Sequence, residues 1–371
     1  MYIGMVYAMF SIGILGFLVW SHWMAFLIRK FKVINFTVGW KNLNLLSTFY
    51  SLNDNKNIQS AGNLELNKGT SETIRENTYD MFLNNFFNLY KKNFNKDYNW
   101  LEWFIGFTEG DGAILEHKGR CKYVLTQKDI KVLKEIQETF NFGNIKYYYD
   151  NNNNIKYGRY IVSDNKNILL LYLLFNGNLY LEHRKEQLKK WQLGLLNASR
   201  LNLLAMNLNN IPNIINNYKK ISLNNAWLSG FTDAEGCFSI KIYKNRNIDY
   251  VKIIYILDQK NSKDILNNIS YLLSNKYLAK LRKTVNGNMY RIEVSCNNKK
   301  KDIYLNVISY FDKYKLKTTK FNSFLIWKKI LFIVLGNQPL PTETILKIRK
   351  LRHNMNKYII LNNSIGYSSK S

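Results

Sequence analysis

"WFIGFTEGDG", residues 103–112, reads as an apolar helix ending on two carboxylates, Glu109 and Asp111, with a glycine after the second. The C-terminal end of a helix carries partial negative charge, so an acid there costs up to about 1 kcal/mol. The chain holds 53 Lys+Arg against 26 Asp+Glu, so acids at this spot are not a matter of supply. "WLSGFTDAEG", residues 227–236, breaks the same rule with Asp233 and Glu235. A local cost met twice, in matching words, points to chemistry that needs the acids.

The pattern around each motif also repeats. After the first, strands are expected at 113–116 and 121–127, then a helix at 129–140. A hairpin follows at 144–149 and 156–162, then a helix at 166–175 and a last helix. After the second motif the same order runs through strands at 237–243 and 250–258 and a helix at 262–273. Its second hairpin covers 277–285 and 289–296, turning through Asn286-Gly287, a strong hairpin dipeptide. A helix at 300–311 and a last helix complete it. The order α-ββ-α-ββ-α-α, twice, predicts an α+β fold of two pseudo-symmetric repeats, at 96–210 and 221–356. An Asn-rich connector with Pro212 joins them.

Small residues lie four apart in each motif helix: Gly106 and Gly110, Gly230 and Ala234. That spacing puts them on one face, where two helix backbones can approach closely. Parallel packing about a pseudo-twofold axis would bring Glu109, Asp111, Asp233 and Glu235 together. So many like charges need cations or raised pKa values. Hard divalent ions such as Mg²⁺ suit carboxylate and main-chain oxygens.

These residues resemble the two motifs of the double-motif LAGLIDADG homing endonucleases, over about residues 99–356. The resemblance implies that each repeat offers DNA a curved antiparallel sheet, and that two or three Mg²⁺ ions serve phosphodiester hydrolysis at the helix tips. It implies Asp111 and Glu235 as metal-binding acids, with Gly110 and Ala234 lending carbonyls. Glu109 and Asp233 are then helix-end, hydrogen-bonding residues. Gln127 in "LTQKD" and Gln259 in "LDQKN" take the place of the polar residue that orients active-site water. A basic residue is expected near the start of each last helix. Aligning "LEHRKEQLKKW" with "LKTTKFNSFLIW" on Leu181/Leu316 and Trp191/Trp327, with one insertion, sets Lys185 opposite Lys320, with Lys317 as a rival.

The partner so implied is a long, imperfectly palindromic double-stranded DNA site, cut on both strands by a monomer. Lys122, Lys146, Lys156, Arg159, Lys241, Lys252, Lys280, Arg282, Lys283 and Arg291 are the candidate contacts on alternate strand positions. Group I intron RNA is the alternative partner, since some members of the family act as maturases. Two departures stand out. Ile105 occupies a place where a small residue is usual, with Ser229 opposite, so looser packing is expected there. The first hairpin is also shorter than the second, so its sheet should meet fewer bases.

Composition agrees. A net charge of +27 calls for a polyanionic partner, and 46% hydrophobic content over 371 residues allows a sizeable core. Cys121, Cys237 and Cys296 form no C-x-x-C pair, and the four histidines are scattered, which argues against a zinc site or a His-based nuclease. The excess of Asn, Lys, Ile and Tyr fits an A/T-rich organellar genome. Residues 1–28 contain no charged side chain, and Arg29, Lys30 and Lys32 follow, as around a spanning helix. Their beginning, "YIGMVYAMFSIGILGFLVWSH", resembles cytochrome c oxidase subunit I up to His22; Trp23 then replaces the family's next histidine. Residues 1–32 therefore read as an exon-derived segment translated into an intron, and 33–95 as a linker. A mitochondrial matrix protein is expected, with membrane contact only if that segment is retained.

Overall fold

In a computed structural model of the chain, the described residues are 71–197, 210–216, 220–284, 287–296, 301–335 and 339–364. The exon-like segment, the linker up to residue 70 and Asn286 of the hairpin turn lie outside them. None of the described helices is long and apolar enough to cross a membrane.

The first repeat runs α2 (Tyr98–Asp111), β1 (Gly112–His117), β2 (Arg120–Gln127), α3 (Ile130–Phe140), β3 (Asn144–Tyr149), β4 (Ile155–Val162), α4 (Asn165–Phe175) and α5 (Glu182–Leu196), preceded by α1 (Ser71–Tyr90). The second repeats it as α6 (Trp227–Glu235), β5 (Gly236–Asn245), β6 (Ile248–Lys260), α7 (Lys263–Ser274), β7 (Lys280–Thr284), β8 (Gly287–Cys296), α8 (Lys301–Lys313) and α9 (Lys320–Val334). A further helix, α10 (Thr342–Ser364), packs on α9. Each repeat builds a four-stranded antiparallel sheet, ordered β1-β2-β4-β3 and β5-β6-β8-β7. The α+β, two-sheet fold expected from the sequence is the one observed.

Local signals explain the matching boundaries. Asp97 caps α2 by accepting from the Trp100 amide, and Asp164 caps α4 through Asn167. Asn141 ends α3 and Asn275 ends α7, both in the left-handed conformation that closes helices. In β2, Cys121, Tyr123 and Leu125 turn inward while Arg120, Lys122 and Thr126 turn out.

The two motif helices touch backbone to backbone. A Cβ on Gly106 would lie 2.0 Å from the Trp227 carbonyl oxygen, and one on Gly230 would lie 1.8 Å from that of Trp103. Only glycine fits at either point. The looser packing expected at Ile105 is not found: Ile105 and Ser229 are both fully buried, and the helices close equally tightly on both sides of the axis.

The linker expected over 33–95 ends earlier than the sequence suggests. From Ser71 the chain is helical, and Phe82 and Phe86 of α1 are buried in an aromatic cluster with Phe94, Trp100 and Phe140. The Tyr79 hydroxyl donates to Glu102 of α2 (2.5 Å) and that of Tyr90 to Asn167 of α4 (2.5 Å). Hydrophobic burial, and not helical periodicity, fixes this helix, so its weak pattern hid it.

Candidate active site

The tips of α2 and α6 meet as the small-residue stripe predicts. A Cβ on Gly110 would fall 2.2 Å from the Ala234 Cβ and 3.1 Å from Glu235 Cγ. Asp111 and Glu235, the next residue in each motif, are therefore near enough for the charge of Asp111 to act on Glu235. Burial, then the Asp111 charge, pushes the Glu235 carboxyl up to about 7, against the pull of Lys320 and Arg184. Burial also raises Asp111, offset by the Gln127 hydrogen bond and the same two cations.

The other two acids do different work. Glu109 accepts from the amides of Tyr180 (2.7 Å) and Leu181 (2.6 Å), just ahead of α5, and from the indole of Trp227 (2.6 Å). Asp233 accepts from the amides of Lys317 (2.8 Å) and Thr318 (3.2 Å), just ahead of α9, and from the indole of Trp103 (2.8 Å). Each acid thus receives the orphan amides that open its own repeat's last helix and an indole from the other repeat's motif. Burial raises both carboxyls, Glu109 to about 7. The indole contacts were missed in the sequence, although each tryptophan sits six residues before the acid of its own motif.

Around the tips the remaining candidates fall unevenly. The Gln127 amide donates to Asp111. Gln259 sits at the matching register and is buried. Lys320 donates from Nζ to the carbonyls of Ala234 (2.7 Å) and Thr232 (3.1 Å). Lys185 does not come to the site. Its amine pairs with Glu182 one turn away, at 2.7 Å. Arg184 stands where Lys185 was expected, donating from Nη2 to the Gly110 carbonyl and from Nε to that of Glu109, both at 3.0 Å. The single insertion in the alignment caused the slip. Counted back from Trp191 and Trp327 without a gap, Arg184 and Lys320 are each seven residues away. Lys317 instead pairs with Glu135 of α3 (2.8 Å).

The residues present fit a hard divalent ion. Asp111, Glu235 and the Gly110 and Ala234 carbonyls are all oxygen donors, the ligand type a hard divalent ion prefers. No group of three or more His, Cys, Asp or Glu is placed to hold a metal among the described residues. Waters and substrate phosphate would complete the shell, as Mg²⁺ commonly prefers. Two of the oxygens are shared: Arg184 and Lys320 already donate to the carbonyls, leaving each one lone pair.

Each sheet has one face with exposed side chains. Lys122 and Lys146 are exposed there on the first, with Arg159 beside them, and Lys241, Lys252, Lys280 and Arg282 are exposed on the second, with Arg291 beside them. Lys156 falls at a bulge beside Tyr149, where the alternation that selected it is interrupted. The side chain of Lys283 is outside those described.

Residues 228–331 match the LAGLIDADG endonuclease family. The chain is 35% identical over 265 residues to "Probable intron-encoded endonuclease 4" of Neurospora crassa, covering 70% of this chain but only 45% of that protein. It is 28% identical to the "Uncharacterized cox1 intron-2 37.2 kDa protein" of Schizosaccharomyces pombe, over 78% of this chain and 83% of that one. "Intron-encoded RNA maturase bI4" of Saccharomyces cerevisiae is 27% identical over 54% of this chain and 33% of its own length. Among solved structures, the I-LtrWI LAGLIDADG homing endonuclease bound to target DNA superposes with a TM-score of 0.53 at 19% identity, over 71% of this chain and 99% of that one. I-SmaMI bound to uncleaved DNA in the presence of calcium ions superposes with a TM-score of 0.50 at 20% identity, over 70% and 99%. By sequence, then, residues 228–331 match the LAGLIDADG endonuclease family and the chain is similar to intron-encoded endonucleases and a maturase; by fold, its two sheets match the double-motif LAGLIDADG structures.

Proposed function

We propose that the chain is a monomeric, site-specific DNA endonuclease of the mitochondrial matrix. It would cut both strands of an intronless cytochrome c oxidase subunit I gene and so promote the spread of its intron. One observation carries this reading: Asp111 and Glu235 lie within reach of each other's charge at two packed helix tips, with Arg184 and Lys320 against the adjoining carbonyls. The exon-like residues 1–22 and the intron-encoded relatives support it.

Mg²⁺ held by Asp111, Glu235 and the carbonyls of Gly110 and Ala234 would supply Lewis acidity to the attacking water and the leaving oxygen. The chain's own groups do the rest. Gln127 fixes the Asp111 carboxylate, and Gln259 is placed by register for the same task at Glu235. Arg184 and Lys320 hold positive charge where the phosphate's charge develops, already oriented by main-chain carbonyls. Glu109 and Asp233 fix the last helices, and so these cations, against the motif helices. The cationic sheets bind the duplex phosphates and reach base edges in the major groove.

The test uses the full chain with Mg²⁺, because α1 belongs to the folded unit. Its substrates are a plasmid carrying the joined exons around the codons that match residues 1–22, and its intron-containing counterpart. Cleavage of the joined exons alone is expected, and D111N and E235Q should abolish it. Undiminished cleavage by either variant would overturn the assignment. The resemblance to a named RNA maturase supports a second activity, assistance to splicing of the intron. Splicing that persists in D111N and E235Q would establish that activity apart from cutting.

A further inference from the structure

Both sheets place an arginine at the same point. In the first, Arg159 of β4 stands between Thr126 of β2 and Lys146 of β3. In the second, Arg291 of β8 stands between Asp258 of β6 and Lys280 of β7. The pairs Gly112–Leu125 and Gly236–Leu257 set the register, so Thr126 and Asp258 are equivalent, and so are the two arginines.

The two arginines are held in unlike ways. The Arg159 guanidinium lies over the rings of Tyr148 (4.9 Å) and Tyr157 (5.6 Å), which stack on each other at 4.7 Å. Its hydrogen bond to the Tyr148 hydroxyl is long, 3.4 Å from Nη1, and its Nε is buried with no partner among the described residues. Ring stacking fixes the plane of the fork, the Tyr148 contact uses one Nη1 hydrogen, and Nη2 has no protein partner among the described residues. Arg291 is the reverse. It donates from Nε to Asp258 Oδ1 (2.7 Å) and from Nη2 to Oδ2 (2.5 Å), a closed bidentate pair, and Nη1 lies 3.8 Å from Glu293.

An arginine fork reads guanine by donating to O6 and N7 in the major groove. A fork closed on a carboxylate does so only by breaking a charge-assisted bidentate pair. We propose that Arg159 is a specificity-determining residue that reads guanine in the half-site under the first sheet, and that Asp258 withholds Arg291 from the mirrored contact. The target is then asymmetric at this position for a reason built into the register: threonine faces one arginine and aspartate the other.

The inference rests on the reading of the chain as a sequence-specific DNA-binding protein, and one experiment separates the two. The full chain, without Mg²⁺, selects from a randomised duplex library, and the bound duplexes are sequenced. The wild type should enrich guanine at one position of one half-site and show no preference at its mirror. R159A should lose that enrichment by about tenfold to a hundredfold, the scale of a good bidentate pair. K122A removes one charge from the same sheet and should lower overall affinity while keeping the guanine preference, which separates reading from attraction; melting curves check both folds. D258T copies the first repeat and should add guanine preference at the mirrored position. If R159A keeps guanine, the role of Arg159 is overturned. If D258T leaves the mirrored position unchanged, or D258T removes a guanine preference already present there, Asp258 does not withhold Arg291. If the wild type enriches no sequence at all, the proposed function falls as well.

Discussion

The two sheets share a register but treat charge in opposite ways. Among the described residues, no cation on the first sheet makes an ion pair; Lys146 and Arg159 rest instead on tyrosine rings. On the second sheet Asp258 and Glu293 gather Arg291, Arg282 and Lys241 into one network. The second hairpin is also longer, ten and thirteen residues in β5 and β6 against six and eight in β1 and β2. The difference shows how a duplicated scaffold diverges. Whatever positions the helix tips is kept in both halves, while the surface that meets the partner is free to change. One sheet offers available positive charge, and the other offers a larger area with much of its charge satisfied internally.

If the framework is common to both halves, G106A and G230A should be equally damaging. Each forces a methyl group into a backbone carbonyl, so about 3 kcal/mol is expected in urea unfolding, the upper range for overpacking. G119A, in the β1–β2 turn with open space around it, should cost only about 1 kcal/mol for its left-handed backbone. One tolerated alanine at Gly106 or Gly230 would break the claimed symmetry.

A smaller effect should separate the two site acids. Glu235 is held near 7, above its unfolded value of 4.5, so the folded state binds the extra proton between those values. Its contribution to stability is full below pH 4.5 and is lost as pH rises through 7. In metal-free buffer, E235Q should therefore flatten the pH dependence of the unfolding temperature across that window. D111N should flatten it less, because the Gln127 hydrogen bond counters the rise at Asp111 and Glu235 has no such bond to lower it. Equal flattening would mean that the two tips are electrostatically alike.

The smallest effect lies in the salt dependence of DNA affinity. K122A or K146A should each reduce the slope of log K against log salt by about 0.9, the value for one lost phosphate contact. K241A should reduce it by less, since Glu293 lies 3.7 Å from its amine. A larger change for K241A would reverse the contrast between the sheets.

Much of this was legible in advance because duplication doubled each weak signal. One acid at a helix end says little, but Asp111 and Glu235 at matching places located the tips. Strand alternation and the four-residue spacing of small side chains are short-range patterns. Arg184 was less visible, because one misplaced gap was enough to exchange it for Lys185. Helix α1 was hidden because its place is decided by the distant Trp100 and Phe140.

By itself, then, the sequence determined the repeated element order and the face each motif helix presents. It also supplied the carboxylates and main-chain oxygens proposed for the candidate site. These are set by periodicity and residue type, which act over a few neighbouring residues. Only the tertiary structure decided which acids lie within reach of each other's charge and which cap a helix, which basic side chain reaches a tip carbonyl, and which arginine keeps its donors. Those outcomes depend on burial and on partners far apart in the chain, such as Trp103 with Asp233 and Asp258 with Arg291. Hydrogen bonds of that range leave no spacing for a linear reading to detect.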